Sequence, residues 1–493
     1  MSNLGDRLDK LTPEKRALLE RQLLQRRASV LSESGRDGKL HRRGPDEPLL
    51  LSYSQQQLWF LQEWQKEGAA YNASLNLRLQ GELDEDALRQ SFQLIIERHE
   101  TLRTVVMDEG GVPGARLIEH PTFAFHEVDL GADGPPSDEA IADAVRGVVH
   151  LAFDLSADLM LRVGLIRLGP DDRVICMVLH HIACDGWSRG ILFDELTALY
   201  VGFTSGHPAE LAELPVQYGD FAKWQQEWLS GSVLKGEIDF WSEELSGADF
   251  VLDLPTDHVR PNVLTFIGGR MGFVIPAPVA DRMRSIGREE RATIFMVVHA
   301  ATGMLLNSLT GQEDFLVGSP VGSRRWPETE PLIGFFVNTL LLRLRMTGDP
   351  TFRELVRRCR ETAVSCYAHQ DIPFERIVQA LRPKRYSDRN PLFQVNLRMQ
   401  GPAPEPPELP GLRASRVSVG LGSSRFDLAL GFVDAPGELG AYVEYNSALF
   451  EGATIERWMH AFTQVLELAC ENPERKLSEL ATALRAKAGV TLP

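Results

Sequence analysis

An α/β fold in at least two parts is what this sequence predicts. From Leu51 onward, amphipathic helical runs alternate with short apolar runs of strand length, the signature of mixed α/β architecture. A chain of 493 residues is also too long for one ordinary core and calls for two domains or more. No internal period suggests a solenoid, which leaves packed layers as the architecture.

The N-terminal stretch carries Leu11, Leu18, Leu19 and Leu23 at helical spacing, with Thr12-Pro13 where a helix would start. A polar, Gly-containing stretch over residues 32–48 follows and reads as a linker. Over residues 83–98, Leu88, Phe92, Ile95 and Ile96 share one face, so an amphipathic helix is expected. Val174 to Leu179 form an apolar run of strand length. Residues 188–200 repeat the helical logic with Leu192, Leu196 and Leu199, and Ser188 is the expected N-cap. The Trp- and Glu-rich residues 218–245 are expected to be helical and to carry the chain into a second part. There, residues 295–309 read as a buried helix and 314–321 as a strand. Residues 401–411, rich in Pro and Glu, are a loop. Residues 425–432 and 440–445 read as strands, and 454–468 as a closing helix.

Composition narrows the function. With 43% hydrophobic and 24% charged residues, the chain is that of a globular protein, not a disordered or fibrous one. A formal net charge of −16 argues against a nucleic-acid partner, which calls for a basic stripe. No run reaches the roughly 18 apolar residues that a membrane span needs. The N-terminus has no basic stretch followed by an apolar one, so a secretory leader is not indicated. The five scattered cysteines read as reduced thiols, and a cytoplasmic location is expected.

The most informative segment is His180-His181-Ile182-Ala183-Cys184-Asp185-Gly186, at the exit of the Val174–Leu179 run. Adjacent side chains on a strand point to opposite faces, so the two imidazoles divide into one that faces a cleft and one packed behind it. Asp185 is close enough along the turn to fix the local geometry. Gly186 is expected to give the backbone a conformation closed to residues with a Cβ. No metal site is expected, since opposite-facing histidines chelate poorly and no second cluster at ligand spacing follows.

His-His-x-x-x-Asp-Gly is the core motif of the condensation domains of nonribosomal peptide synthetases, and six further segments resemble that family's motifs in its order. Ser52-Tyr53-Ser54-Gln55-Gln56-Gln57-Leu58-Trp59-Phe60-Leu61 is similar to the first, and Arg98-His99-Glu100-Thr101-Leu102-Arg103-Thr104 to the second. Tyr218-Gly219-Asp220-Phe221-Ala222-Lys223-Trp224-Gln225 resembles the fourth, and Ile333-Gly334-Phe335-Phe336-Val337-Asn338-Thr339 the fifth. His369-Gln370-Asp371-Ile372-Pro373-Phe374-Glu375 resembles the sixth, and Ser387-Asp388-Arg389-Asn390-Pro391-Leu392-Phe393-Gln394-Val395 the last. Seven ordered motifs are far more specific than one.

The resemblance implies two chloramphenicol acetyltransferase-like lobes in a V-shaped pseudo-dimer with a central tunnel. It implies a linker or docking helix over residues 1–47, a first lobe over 48–225 and a second over 226–493. The implied reaction joins two acyl groups delivered as thioesters on phosphopantetheine arms, the amine of the acceptor attacking the donor. The domain itself would bind no cofactor; donor and acceptor carrier domains, with an adjacent adenylation domain, would be its partners. His181 matches the active-site histidine, acting either as general base or by orienting the amine and stabilising the tetrahedral intermediate. His180 and Asp185 are structural by this reading, with Arg324 as the cation for Asp185 and Arg103 as runner-up. Gly186 offers a backbone N–H and close approach to the reacting carbonyl. Ser54, Gln55, Trp59, Trp187 and Asn338 line the tunnel or active-site wall, while Cys184 packs and His369, Asp371 and Glu375 are architectural. Competing functions are an epimerisation domain, a freestanding ester-forming enzyme and a non-catalytic recruiting domain; the last would lack the motif that is intact here.

Overall fold

The computed structural model describes residues 40–488, apart from 45, 65–67, 109, 133, 208, 404, 420–421 and 436–437. The expected helix near Leu11 to Leu23 lies outside the described residues. Two sheets organise the rest. The first has five strands in the order Leu412–Arg416, Asn72–Gly81, Asp172–His180, Leu161–Gly169, His126–Asp129. The second has six, in the order Gly268–Val274, Glu438–Asn446, Leu428–Ala435, Val395–Gln400, Asp314–Gly322, Val337–Arg345.

The central strand of the first sheet is Asp172–His180, buried from Val174 to its end because helices cover its faces. Helices Glu85–Arg98 and Ser188–Ser205 pack against each other on that sheet. The first is capped by the Asp84 carboxylate, which accepts the Ala87 N–H at 2.8 Å. Its apolar stripe buries Leu88, Phe92, Ile95 and Ile96 completely, each contributing on the order of 2 kcal/mol by leaving water. In the second half, helices Ile294–Thr310 and Gly452–Glu471 supply a core joined by Val317, Leu397, Leu430 and Val443 from the sheet.

Four features depart from the sequence reading. Ser188 is not the N-cap: Trp187 holds that position without a side-chain bond, because the Ser188 hydroxyl is engaged by Asp185 at 2.8 Å. The helix expected over 218–245 is two, Tyr218–Trp228 and Gly231–Glu244, broken where Gly231 takes a φ of 56°. The strand expected to begin at Arg425 begins at Leu428, which leaves Arg425 in the preceding loop. Finally, Leu412–Arg416 is a strand that local pattern does not signal. It belongs to the second half of the chain but pairs antiparallel with Asn72–Gly81 of the first sheet, from Leu77↔Arg416 to Gly81↔Leu412.

That crossover ties the halves together at Gly81. With a φ of 123°, a Cβ at this residue would stand 2.3 Å from the Gly411 carbonyl oxygen, so only glycine admits the crossing strand so closely.

Candidate active site

The strand Asp172–His180 ends in a short 3₁₀ turn, His181–Ala183. Its backbone is pinned at two points: the His181 N–H donates to the Tyr71 carbonyl at 2.9 Å, and the Gln55 amide donates to the Ile182 carbonyl at 2.9 Å. The two histidines then part. His180 is 1% exposed, edge-on to Tyr71 and Phe153, and its Nδ1 accepts the Ile182 N–H at 3.2 Å. Burial, with the Arg425 charge behind it, pushes its pKa down to about 3. It is a neutral packing group.

His181 is only partly buried and sits edge-on to Phe335 of the second half. Its Nδ1 lies 3.3 Å from the Cys184 carbonyl oxygen. A carbonyl only accepts, so Nδ1 carries the proton and Nε2 keeps its lone pair. Desolvation holds the His181 pKa well below the usual imidazole value, reinforced by the charges of Arg425 and Arg189 and opposed by the Cys184 carbonyl. The ring is thus a neutral hydrogen-bond acceptor at neutral pH.

Asp185, 4% exposed, is the hub between the halves. It accepts from the Ser188 N–H at 2.9 Å and hydroxyl at 2.8 Å, from Arg324 Nη2 at 3.1 and 3.2 Å, and from the Phe336 N–H at 3.2 Å. Arg324 also donates to the Thr329 and Leu332 carbonyls and lies over the Phe336 ring. Arg103, the runner-up, is engaged elsewhere, by the Glu97 and Ile118 carbonyls.

Gly186 is exposed and needs correction: its φ is not positive and a Cβ would meet nothing within 4 Å. No conformational demand explains it; its lack of a side chain leaves open space beside the turn. Trp187 is 60% exposed, its indole N–H donating across to the Glu330 carbonyl at 3.0 Å. Ser54 and Asn338 line one crevice with Phe336 and Asp371. Asn338 itself is a staple, donating to the Gln370 and Ile372 carbonyls and accepting the Phe374 N–H. Gln55 and Trp59 are both buried, and Trp59 packs in the first core.

Cys184 is buried, which pushes its thiol up to about 12 and leaves it no thiolate character. His369, Asp371 and Glu375 form no joint site. His369 pairs with Glu237 at 3.0 Å and stacks on Phe240, Asp371 pairs with Arg325, and the Glu375 Oε2 has no hydrogen-bond partner among the described residues. Among the described residues no cluster of ligating side chains could hold a metal, and no single helix is long and apolar enough to cross a membrane.

Sequence reasoning missed Arg425 and Tyr71 beside the histidines. It also missed Tyr218, whose hydroxyl bridges Ser52 at 2.9 Å and the Phe335 carbonyl at 2.7 Å. Tyr218 stands in a quoted motif, but nothing local says that its hydroxyl is buried between the halves.

The fold and site define a two-part mixed α/β protein with a partly buried neutral histidine at a strand exit, braced from the other half by an aspartate–arginine pair. Likeness to known proteins makes the class specific: the condensation-domain family model matches residues 46–489, and the chain belongs to that family. It is 42% identical over 446 residues to a linear gramicidin synthase polypeptide of Brevibacillus parabrevis, covering 90% of this chain and 9% of that protein. It is 36% identical over 497 residues to phosphinothricin tripeptide synthetase PhsC of Streptomyces viridochromogenes, covering 98% of this chain and 44% of that one. The chain therefore spans less than half the length of these relatives. Among solved structures, the X-domain from teicoplanin biosynthesis in complex with OxyB matches at a TM-score of 0.83 with 27% identity, over 90% of this chain and 97% of that one. The first condensation domain of the calcium-dependent antibiotic synthetase matches at 0.69 with 19% identity, over 88% and 99%, a likeness of fold. The V-shaped pseudo-dimer of acetyltransferase-like lobes accords with these neighbours.

Proposed function

We propose that this chain forms an amide bond between a donor acyl or peptidyl thioester and the amine of an acceptor aminoacyl thioester. Both arrive on phosphopantetheine arms of partner carrier domains, with an adenylation domain loading them. The observation that carries this reading is His181, a half-buried imidazole whose Nδ1–H is fixed by the Cys184 carbonyl, leaving Nε2 unprotonated. A thioester is already activated, so alignment of two arms and management of one proton suffice. The acceptor nitrogen adds to the donor carbonyl carbon, and His181 Nε2 accepts a hydrogen bond from that amine, holding its lone pair on line. On collapse the thiolate leaves and the nitrogen's proton passes to it.

In this reading the Asp185–Arg324 pair holds the turn, and Gly186 keeps the space beside it free for the arms. Ser54, Gln55, Trp187 and Asn338 support the walls of a tunnel between the halves. The gramicidin synthase relatives support a place in peptide assembly. A recruiting role is the second reading, favoured by the likeness to an X-domain held in complex with OxyB; the intact His180-His181…Asp185-Gly186 set favours chemistry instead.

The test is mass spectrometry of carrier-bound products after mixing the chain with two loaded carriers. A mass equal to the joined acyl chains on the acceptor carrier is expected. Epimerised donor without joining, product only from a hydroxyl acceptor, or no chemistry at all would each replace the reading. Product formed equally well from free amino acids and ATP without carriers would end it.

A further inference from the structure

Arg425 lies in the loop between the crossover strand Leu412–Arg416 and the strand Leu428–Ala435. From the second half of the chain it reaches the histidine turn of the first, its guanidinium carbon 5.2 Å from the Tyr71 ring centroid. Tyr71 packs on His180 and accepts the His181 N–H. Apart from the Tyr71 ring, no hydrogen-bond or ion-pair partner among the described residues meets this guanidinium; the Arg425 carbonyl is engaged by Asn390 at 2.8 Å. The nearby carboxylate Glu444 is held by Arg398 at 2.9 Å. Arg425 is exposed, with Tyr71, Arg398, Glu444 and Cys184 as its charged or titratable neighbours. An exposed guanidinium beside the histidine turn, with no protein carboxylate against it, is placed to meet an anion that a ligand brings.

We propose that Arg425 is the cation of the reaction chamber and donates to the donor carbonyl oxygen as that oxygen becomes negative. The proposal rests on the condensation reading. As the amine lone pair forms the C–N bond, the carbonyl π pair moves onto oxygen; as the C–S bond breaks, the pair returns and the thiolate takes the nitrogen's proton. A positive charge beside the histidine turn acts favourably at each stage. It disfavours the unreactive ammonium form of the acceptor, stabilises the oxyanion, and opposes imidazolium at His181, together with Arg189 from the following helix. His181 then serves as an acceptor that passes a proton on instead of storing it. The described residues give this guanidinium no carboxylate, and the reaction supplies an anion for it.

The experiment compares wild type, Arg425→Met and Arg425→Lys in single-turnover condensation between two loaded carriers across pH. It is joined by NMR titration of the histidines without carriers. We expect Arg425→Met to slow the step about 10²–10³-fold at saturating carriers, Arg425→Lys to recover at least about a tenfold part, and all three to melt alike. In Arg425→Met the acid limb of the rate profile and the His181 titration both move to higher pH. Wild-type rate in Arg425→Met, a lysine variant no faster than methionine, or an unshifted His181 titration would overturn the assignment. So would a melt lowered by several degrees, which would mark Arg425 as structural. If wild type itself forms no product, the condensation reading fails, while the titration still decides whether Arg425 governs His181.

Discussion

Asp185 accepts four donor groups from both halves, and that number decides how it will respond to mutation. Removing its carboxylate leaves the Arg324 guanidinium, with a side chain 7% exposed, charged and without its partner. Breaking such a pair costs about 3–5 kcal/mol. Asp185→Ala is therefore expected to lower the melting temperature as well as condensation, whereas His181→Ala abolishes most activity and melts as wild type. Paired melts and carrier assays check this, and the reverse order would exchange the two roles. Glu375 gives a second residue-scale test. Burial raises its pKa to about 7, so the folded state holds a proton that the unfolded state releases near the ordinary carboxylate value. Stability is then fully present below that value and declines as pH rises through 7. Glu375→Gln should gain up to about 2 kcal/mol over wild type at pH 8 and nothing at pH 4, read from urea midpoints. At this scale the motif residues were legible through resemblance. Arg425 was not, because one arginine before an apolar run looks like an ordinary strand edge.

At the scale of elements, periodicity served well where helices have an apolar stripe and a cap, as in Glu85–Arg98 and Ile294–Thr310. It failed where a tertiary contact took over a local signal, as when Asp185 claims the Ser188 hydroxyl. Ile294–Thr310 also hides a feature that its apolar reading passes over. His299 is fully buried, and neither ring nitrogen has a hydrogen-bond partner among the described residues; one turn on, the Thr302 hydroxyl lacks one too. Desolvation pushes the His299 pKa down to about 3, so the folded state holds it neutral while the unfolded chain protonates it near 6.5. Its stability contribution is present above that pH and is lost as pH falls toward 3. His299→Leu removes the imidazole, so it should raise stability more at pH 4.5 than at pH 8. A gain on the order of 2 kcal/mol at the lower pH is expected, and thermal melts at the two values check it. Equal gains at both would point to packing instead of protonation.

Across the whole molecule, the halves are joined less by one hinge than by exchanged parts. Arg324 and the Phe336 N–H reach Asp185, Leu409 and Ile333 enter the first core, and Leu412–Arg416 completes the first sheet. None of this could be read from local pattern: Leu412-Arg413-Ala414-Ser415-Arg416 is short, polar and mostly exposed, and its partner lies more than 300 residues earlier. Non-local pairing of that kind is set by the assembled sheet edge, not by propensity. Gly81 makes it testable. A methyl group there meets the Gly411 carbonyl oxygen at 2.3 Å and a φ that L-residues rarely adopt, so Gly81→Ala must loosen the crossing strand. Because the loop bearing Arg425 leaves from that strand, a loosened crossover moves Arg425 away from the histidine turn while the two cores stay packed. Gly81→Ala is therefore expected to speed amide exchange across residues 412–416 at least tenfold, equivalent to about 1.4 kcal/mol of local opening, and to slow condensation by a larger factor than its melting temperature would suggest. Unchanged exchange in that strand together with reduced activity would place the effect of Gly81 elsewhere, and would leave the crossover as a structural tie with no part in the chemistry.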